Sequence, residues 1–186
     1  MATMHFLSGQ DPYPIGNAHF VHVPYDTFRC SDGFIVIAVI TDNFWQNLKQ
    51  VVGCPEFDDP RYDGQPGRWE AREYINRKLN EILGGNSCAY WLARLEERRI
   101  PCSAVNSFSQ ALSDPQVLHR NMVVELRHPD GRSTKGPGNP IKLSRTNEES
   151  FSAAPRLGSD TISVMSEVLG MGAAEIELLK AQGVIG

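Results

Sequence analysis

The sequence predicts an α+β fold: a mostly antiparallel sheet built on hairpins and flanked by helices, followed by a linker and a C-terminal helical tail. Residues 21–30 and 34–40 are rich in β-branched and aromatic side chains, and Asp32-Gly33 between them can form a tight hairpin turn because glycine adopts positive φ. Pro129-Asp130-Gly131 marks a second hairpin. Apolar side chains recur at helical spacing in three segments between the hairpins, residues 44–52, 75–83 and 91–95.

Residues 34–40 are predicted to form the central strand. All of them are apolar, and the run is too short for a buried helix, so it is typical of a strand that is covered on both faces. The preceding strand is predicted to begin near Tyr25, because Pro24 has no N–H to donate to a neighbouring strand. After the central strand, Thr41 is the predicted N-cap of a helix that Gly53-Cys54-Pro55 ends.

The segment after this helix, residues 56–67, is broken by prolines and glycines and is predicted to be a surface loop with at most one helical turn. A second helix is predicted to begin at Arg68 and to end at Gly84-Gly85-Asn86. A third helix follows Ser87 as its N-cap and ends at Ile100-Pro101, before a short strand.

The two ends of the chain differ from this middle region. Residues 1–24 are rich in turn-forming residues and are predicted to form a connecting arm. Beyond the third helix, Asp114 is a predicted helix cap, and residues 122–127 with the segment around Ser133 form the second hairpin. Residues 145–155 form a polar linker without periodicity, and two short amphipathic helices follow it.

Composition and charge exclude several classes of function. The 186 residues include 18 Lys and Arg against 22 Asp and Glu, and the basic residues are dispersed along the sequence. The sequence therefore contains no cluster of positive charge of the kind that binds nucleic acid. The longest apolar run, residues 34–40, is far shorter than the roughly 20 residues that span a bilayer. The N-terminus has neither a basic region nor an apolar region of a signal peptide, so the expected location is the cytoplasm, with no membrane partner.

Residue chemistry alone predicts no catalytic constellation and no metal site. The four cysteines are widely separated, without histidines at ligand spacing, and are predicted to be reduced thiols. His19 and His22 are interpreted as hydrogen-bonded structural histidines, with roles as ligands or bases left open. Asp114 and His119 could join a serine in a triad, but no serine lies in a nucleophile elbow. Asp58-Asp59 lacks the spacing of a calcium loop.

The order of short motifs along the chain carries a stronger signal. Its first part contains Gly16-Asn17, Pro24-Tyr25, Asp32-Gly33, Phe44-Trp45, Asp59-Pro60-Arg61-Tyr62, Arg68, Trp91 and Pro101-Cys102-Ser103-Ala104-Val105. Its second part contains Asp114-Pro115-Gln116, Arg120-Asn121-Met122, Gly131, Pro140-Ile141-Lys142-Leu143-Ser144-Arg145-Thr146, Pro155-Arg156-Leu157-Gly158, Val168-Leu169-Gly170 and Gly183-Val184-Ile185. In this order the motifs resemble the C-terminal half of the family III CoA-transferases, the group of formyl-CoA and carnitine CoA-transferases that also includes α-methylacyl-CoA racemase.

The resemblance implies a division of the chain and a missing part. Residues 1–24 would be a connecting arm, residues 25–146 the small domain, and residues 147–186 a linker and helical tail that packs on a large Rossmann-like domain. In the family, that large domain carries the nucleophilic aspartate and most of the CoA-binding residues, and two subunits interlock. The resemblance therefore implies a homodimer, and an isolated chain that is inactive because no residue here matches the aspartate.

The resemblance also implies a mechanism and a site. The family aspartate attacks an acyl-CoA thioester and passes through anhydride and aspartyl-CoA intermediates before a second carboxylic acid is acylated. Acyl-CoA and a carboxylic acid would be the partners, with the CoA thioester as substrate and no tightly bound cofactor. The loop after the central strand would contact the acid, which makes Thr41, Asp42 and Asn43 the substrate-loop candidates. The loop is not glycine-rich as in formyl-CoA-like members, and Thr41 stands where racemase-like members carry glutamate. The alternatives are a racemase half and a non-catalytic stand-alone binding module.

Overall fold

The computed structural model describes residues 2–128, 130–146 and 151–185, which form two compact units, Met1–Asn106 and Ser107–Gly186. Antiparallel sheets of three and two strands combine with helices, so the predicted α+β class is confirmed. The predicted boundaries of arm, domain and tail stay a prediction. The first unit contains α1 (Ala2–Ser8), β1 (Tyr25–Arg29), β2 (Phe34–Ala38), α2 (Asp42–Val52), α3 (Gln65–Glu70), α4 (Arg72–Leu83), α5 (Cys88–Glu97) and β3 (Cys102–Ala104).

The three-stranded sheet has the order β1-β2-β3, so the prediction that residues 34–40 supply the central strand is confirmed. Cys30 N–H donates to Gly33 C=O at 2.8 Å and closes the predicted hairpin. The prediction that this strand is covered on both faces is wrong. Ile35 and Ile37 are buried in the core, whereas Phe34 is 49% exposed, because the core helices of this unit pack against one face of the sheet.

The core lies between this sheet and three amphipathic helices. Their buried side chains are Trp45 and Leu48 of α2, Ile75, Leu79 and Leu83 of α4, and Trp91 and Leu95 of α5. Thr41 and Ser87 are the N-caps of α2 and α5, as predicted, and each accepts a hydrogen bond from the N–H three residues later. Gly53 ends α2 at φ 61°, a backbone conformation that favours glycine.

The segment predicted to be a surface loop, residues 56–67, is more ordered than expected. It contains the 3₁₀ turns Pro55–Asp58 and Pro60–Tyr62 and the start of α3, and it buries Phe57 and Tyr62. A proline stands in the first turn of all three elements, where its missing N–H has no helical partner to lose. The helix predicted to start at Arg68 is divided into α3 and α4 at Ala71. The arm also differs from expectation, because it begins with α1.

The second unit contains α6 (Phe108–Ala111), α7 (Pro115–His119), β4 (Val123–Arg127), β5 (Ser133–Pro137), α8 (Thr161–Ser163), which continues as a π-helical turn Val164–Val168, and α9 (Ala173–Ala181). Asp114 caps α7, and β4 pairs with β5, so both predictions are confirmed. Part of the predicted linker, residues 147–150, lies outside the described residues, as does Pro129. Within the described ranges, no helix is long and apolar enough to cross a membrane.

Candidate functional site

Residues 40–43, here called the post-β2 loop, connect the central strand to α2 on the surface of the first unit. Thr41, Asp42 and Asn43 are exposed, and Ile40 before them is 46% exposed. Thr41 has an extended backbone, with φ −131° and ψ 159°, and its Oγ1 accepts a hydrogen bond from Phe44 N–H at 3.3 Å. Its carbonyl oxygen accepts from Trp45 N–H at 3.2 Å. The loop therefore leads directly into a capped helix.

Asp42 connects this exposed loop to the interior of the unit. Its Oδ1 accepts a hydrogen bond from Arg68 Nη2 at 2.6 Å, a short distance that is typical of a charge-assisted contact. The Asp42 side chain is 66% exposed, whereas Arg68 is 0% exposed. Asp42 therefore supplies the negative charge that a buried guanidinium requires.

Asn43 is the third predicted residue of the loop, and it lies on the first turn of α2. The N–H groups of a first helical turn have no intrahelical partner, and the helix dipole favours negative charge beside them. The post-β2 loop thus combines a hydroxyl, an amide and the start of a helix. This set can hold a carboxylate by hydrogen bonds, and its own carboxylate, Asp42, is already paired with Arg68.

Of the two histidines that the sequence interprets as hydrogen-bonded structural residues, His19 fits that interpretation, whereas the buried Nδ1 of His22 has no hydrogen-bond partner in the part of the chain that the structure describes. His19 Nδ1 accepts hydrogen bonds from the N–H groups of Val21 and His22, at 3.0 and 3.1 Å, and the ring stacks on Tyr25 at 5.0 Å. Burial, and then the neighbouring His22, lower the pKa of His19. The structure thus supports the interpretation of His19 as a neutral, hydrogen-bonded structural residue, because a ring nitrogen that accepts two N–H bonds has no free lone pair for a ligand.

The carboxylates that were considered for a catalytic triad or a cation site contact a helix end or basic side chains instead. Asp114 accepts from Gln116 N–H at 2.8 Å as a helix cap, which occupies the acid of the hypothetical triad. Asp58 Oδ1 lies 3.4 Å from Lys49 Nζ, and Asp59 Oδ2 lies 3.0 Å from Arg61 Nε. Among the residues that the structure describes, no group of three or more potential metal ligands occurs.

The reactivity of Cys88 tests the prediction that the cysteines are reduced thiols. Burial, followed by the adjacent Asp32 and Cys30, raises its pKa from 9.0 to about 12. At pH 8 the thiolate fraction is then about a thousandfold below that of an ordinary cysteine, and only the thiolate reacts. We expect Cys88 to stay unmodified by iodoacetamide in the native protein and to react readily in urea, as peptide mass mapping would measure. Rapid alkylation of native Cys88 would contradict this environment.

Arg68 is the residue of the site whose role the sequence did not indicate. It was predicted as the start of a helix, and the family resemblance included it without assigning a function. Its burial depends on acceptors that lie 45, 26 and six residues away along the chain, Val23, Asp42 and Tyr62. A local pattern of apolar residues contains no signal for such contacts, because arginine on a helix is ordinarily exposed.

Comparisons with known proteins give consistent results. The family model for CoA-transferase family III matches residues 1–161. The chain is 30% identical over 171 residues to succinyl-CoA:glutarate CoA-transferase of Mus musculus, which covers 91% of this chain and 39% of the mouse protein. It is 30% identical over 166 residues to succinate–glutarate CoA-transferase of Agrobacterium fabrum, 88% of this chain and 41% of that protein. A crystal structure of a CAIB/BAIF family protein from Brucella suis superimposes with TM-score 0.72 at 27% identity, covering 90% of this chain and 43% of that one.

Proposed function

This chain belongs to CoA-transferase family III, and from that premise we propose that it forms the small domain and C-terminal tail of a CoA-transferase. Such an enzyme moves CoA between an acyl-CoA and a carboxylic acid. The match over residues 1–161 is the observation that carries the proposal. The chain spans 39% of the mouse relative and 41% of the Agrobacterium relative, so the proposal assigns the remaining machinery to protein outside this sequence.

The proposed chemistry is covalent acyl transfer. An aspartate carboxylate outside this sequence attacks the thioester carbonyl and releases CoA as a thiolate, which leaves a mixed anhydride. CoA then attacks the aspartyl carbonyl and releases the first acid, which gives aspartyl-CoA, and the second acid takes over CoA by the same two steps in reverse. Dividing one acyl transfer into such steps lowers the highest barrier. The four aspartates that the sequence analysis considered as site residues, Asp42, Asp58, Asp59 and Asp114, already contact cations or a helix end, so we do not propose any of them as the nucleophile.

In this proposal, the post-β2 loop binds the carboxylic acid. Thr41 and Asn43 offer a hydroxyl and an amide, and the first turn of α2 adds N–H groups and a favourable dipole. Asp42 would repel an anion if it were unpaired. Its contact with Arg68 at 2.6 Å supplies a compensating positive charge, which supports a loop that can accept a carboxylate.

The relatives narrow the class of acid that we propose. Their names include glutarate, mesaconate and L-malate as acids that receive CoA from succinyl-CoA. We therefore propose a short dicarboxylic acid as the acceptor. These names describe transferases, and Thr41 stands where racemase-like members carry glutamate, so CoA transfer is favoured over racemization.

We also propose that the complete protein is a homodimer, as the family resemblance implies, and that the C-terminal tail packs on protein outside this sequence. The C-terminal tail exposes large apolar side chains, among them Val168, Leu169 and Leu178. Apolar surface of this kind is ordinarily covered by another part of a protein or by a second subunit. Its presence on α8, α9 and the turn between them supports a tail that packs on further protein.

The function is tested by measuring exchange of CoA between succinyl-CoA and glutarate, mesaconate or malate. The native protein, isolated from its source with an antibody to this sequence, is expected to catalyse the exchange. Purified chain of residues 1–186 is expected to give only the protein-free background, because it lacks the proposed nucleophile. Turnover by the purified chain would refute the external nucleophile, and a native protein without exchange on any of these acids would refute the transferase assignment.

A further inference from the structure

We infer that Arg68 is a positioning residue that fixes the post-β2 loop through Asp42, so that Asp42 is a tether and Thr41 and Asn43 remain as the loop residues that can contact a ligand. The functional meaning of this tether rests on the proposed role of the loop in binding the carboxylic acid. Its structural basis is independent of that role, because it depends only on contacts within the first unit.

All hydrogen-bonding capacity of Arg68 is used inside the protein. A guanidinium has five N–H donors in a fixed planar arrangement. The five acceptors are the carbonyl oxygens of Val23, Tyr62 and Asp63, the side-chain oxygen of Gln65 and the Asp42 carboxylate, at 2.9, 2.8, 2.7, 2.9 and 2.6 Å. A side chain that is 0% exposed and has no spare donor cannot itself bind a substrate. Its chemistry is therefore that of a fixed internal connector.

The guanidinium is also held by packing. Its central carbon lies 5.5 Å from the centre of the Trp45 ring, a cation–π distance, and Trp45 is a buried residue of α2. At the other end, Gly67 precedes Arg68 and lies against the backbone of the 3₁₀ turn Pro60–Tyr62. Arg68 is thus fixed between α2 and this turn, and both contacts restrict the position of its Nη2.

The charge distribution explains why Asp42 serves as the tether. Of the five acceptors, Asp42 is the carboxylate, and a buried guanidinium is strongly stabilised by a carboxylate at hydrogen-bonding distance. Asp42 is the first residue of α2, directly after Thr41, so holding its side chain also fixes the backbone at the end of the post-β2 loop. Loss of this contact is expected to leave the fold in place while the loop and the first turn of α2 become more mobile.

The test measures amide hydrogen exchange of the purified chain by NMR at 25 °C. In Asp42→Ala, exchange of the Phe44 and Trp45 N–H groups, whose acceptors are both on Thr41, is expected to accelerate at least about tenfold. Asp42→Asn retains an oxygen acceptor and is expected to give a smaller acceleration. Asp58→Asn removes another exposed carboxylate, one that contacts Lys49 of α2 but not Arg68, and is expected to leave both rates within about twofold.

The outcomes separate this inference from the proposed function. Unchanged exchange at Phe44 and Trp45 in Asp42→Ala would overturn the tether. Because Asp42→Ala also leaves the buried guanidinium without its carboxylate, Leu79 in the core of α4 reports the accompanying loss of global stability. The 15N heteronuclear NOE of Phe44 and Trp45 reports local motion in the folded state, and an unchanged NOE in Asp42→Ala would also overturn the tether. In the native protein, Asp42→Ala is expected to raise KM for the acid more than it lowers kcat. If the native protein transfers no CoA between these acids, the proposed function fails. The amide hydrogen exchange rates of the purified chain still decide whether Asp42 is a tether.

Discussion

Replacing Arg68 with methionine is expected to lower the free energy of unfolding by about 3 to 5 kcal/mol. Methionine fills much of the arginine volume but offers no donor. The substitution leaves the carbonyl oxygens of Val23, Tyr62 and Asp63 without the guanidinium that now bonds them, and a buried unpaired carbonyl costs about 1 to 3 kcal/mol. Urea unfolding followed by tryptophan fluorescence measures the loss.

The matched control for this variant is Arg61→Met. Arg61 also stacks on an aromatic ring, 4.8 Å from the centre of Tyr62, and it pairs with Asp59 at 3.0 Å. Its side chain is 68% exposed, so its removal is expected to cost less than about 1 kcal/mol. Equal losses of unfolding free energy for Arg61→Met and Arg68→Met would contradict the conclusion that the buried hydrogen bonds of Arg68 stabilise the first unit.

Gly67→Ala is expected to destabilise the first unit by about 3 kcal/mol, although alanine is the better helix former by about 1 kcal/mol. A β-carbon at Gly67 would lie 2.8 Å from the carbonyl carbon of Arg61 and closer still to its oxygen. Backbone cannot rotate away as a side chain can, so α3 and the turn Pro60–Tyr62 would have to separate. Thermal unfolding monitored by circular dichroism measures the effect.

Gly64→Ala is the control for this substitution within the same segment. A β-carbon there would meet Pro66 Cδ at 3.7 Å, an ordinary contact, and φ of −99° is open to alanine. We expect a change of less than about 1 kcal/mol, mostly from the poorer N-cap that alanine provides for α3. If Gly67→Ala proved as mild as Gly64→Ala, the close approach of Arg61 to Gly67 would be refuted.

The parts of the fold that the sequence predicted depend on contacts between residues near in sequence. Thr41, Ser87 and Asp114 each cap a helix through an N–H two or three residues away, and the hairpin turn at Asp32-Gly33 closes between residues 30 and 33. Such contacts depend on residue type and spacing alone, so sequence patterns identify them.

The parts that the sequence did not predict depend on distant contacts. Phe57 and Tyr62 lie in a segment with the composition of a loop, but they are buried because the rest of the unit provides a core for them. Phe34 belongs to an apolar run that is typical of a fully covered strand, and its exposure depends on which face the helices occupy. Sequence spacing does not specify either arrangement.

The candidate site likewise has one part that the sequence predicted and one part that it did not. Its place after the central strand was predicted from the family resemblance, and the start of α2 at Asp42 follows the predicted cap at Thr41. The pairing of Asp42 with Arg68 joins residues 26 positions apart, on helices whose packing the sequence pattern does not specify. The resemblance could therefore indicate the loop, but not which of its side chains is already engaged.

We propose that this chain positions the acid while the reacting carboxylate lies elsewhere in the protein. The direct measurement is to incubate the native protein with succinyl-CoA, reduce the resulting aspartyl-CoA thioester to an alcohol with borohydride, and map the modified residue by peptide mass spectrometry. We predict a single modified aspartate in a peptide outside the sequence of residues 1–186. A modified carboxylate within this sequence, at Asp42 or elsewhere, would contradict the claim.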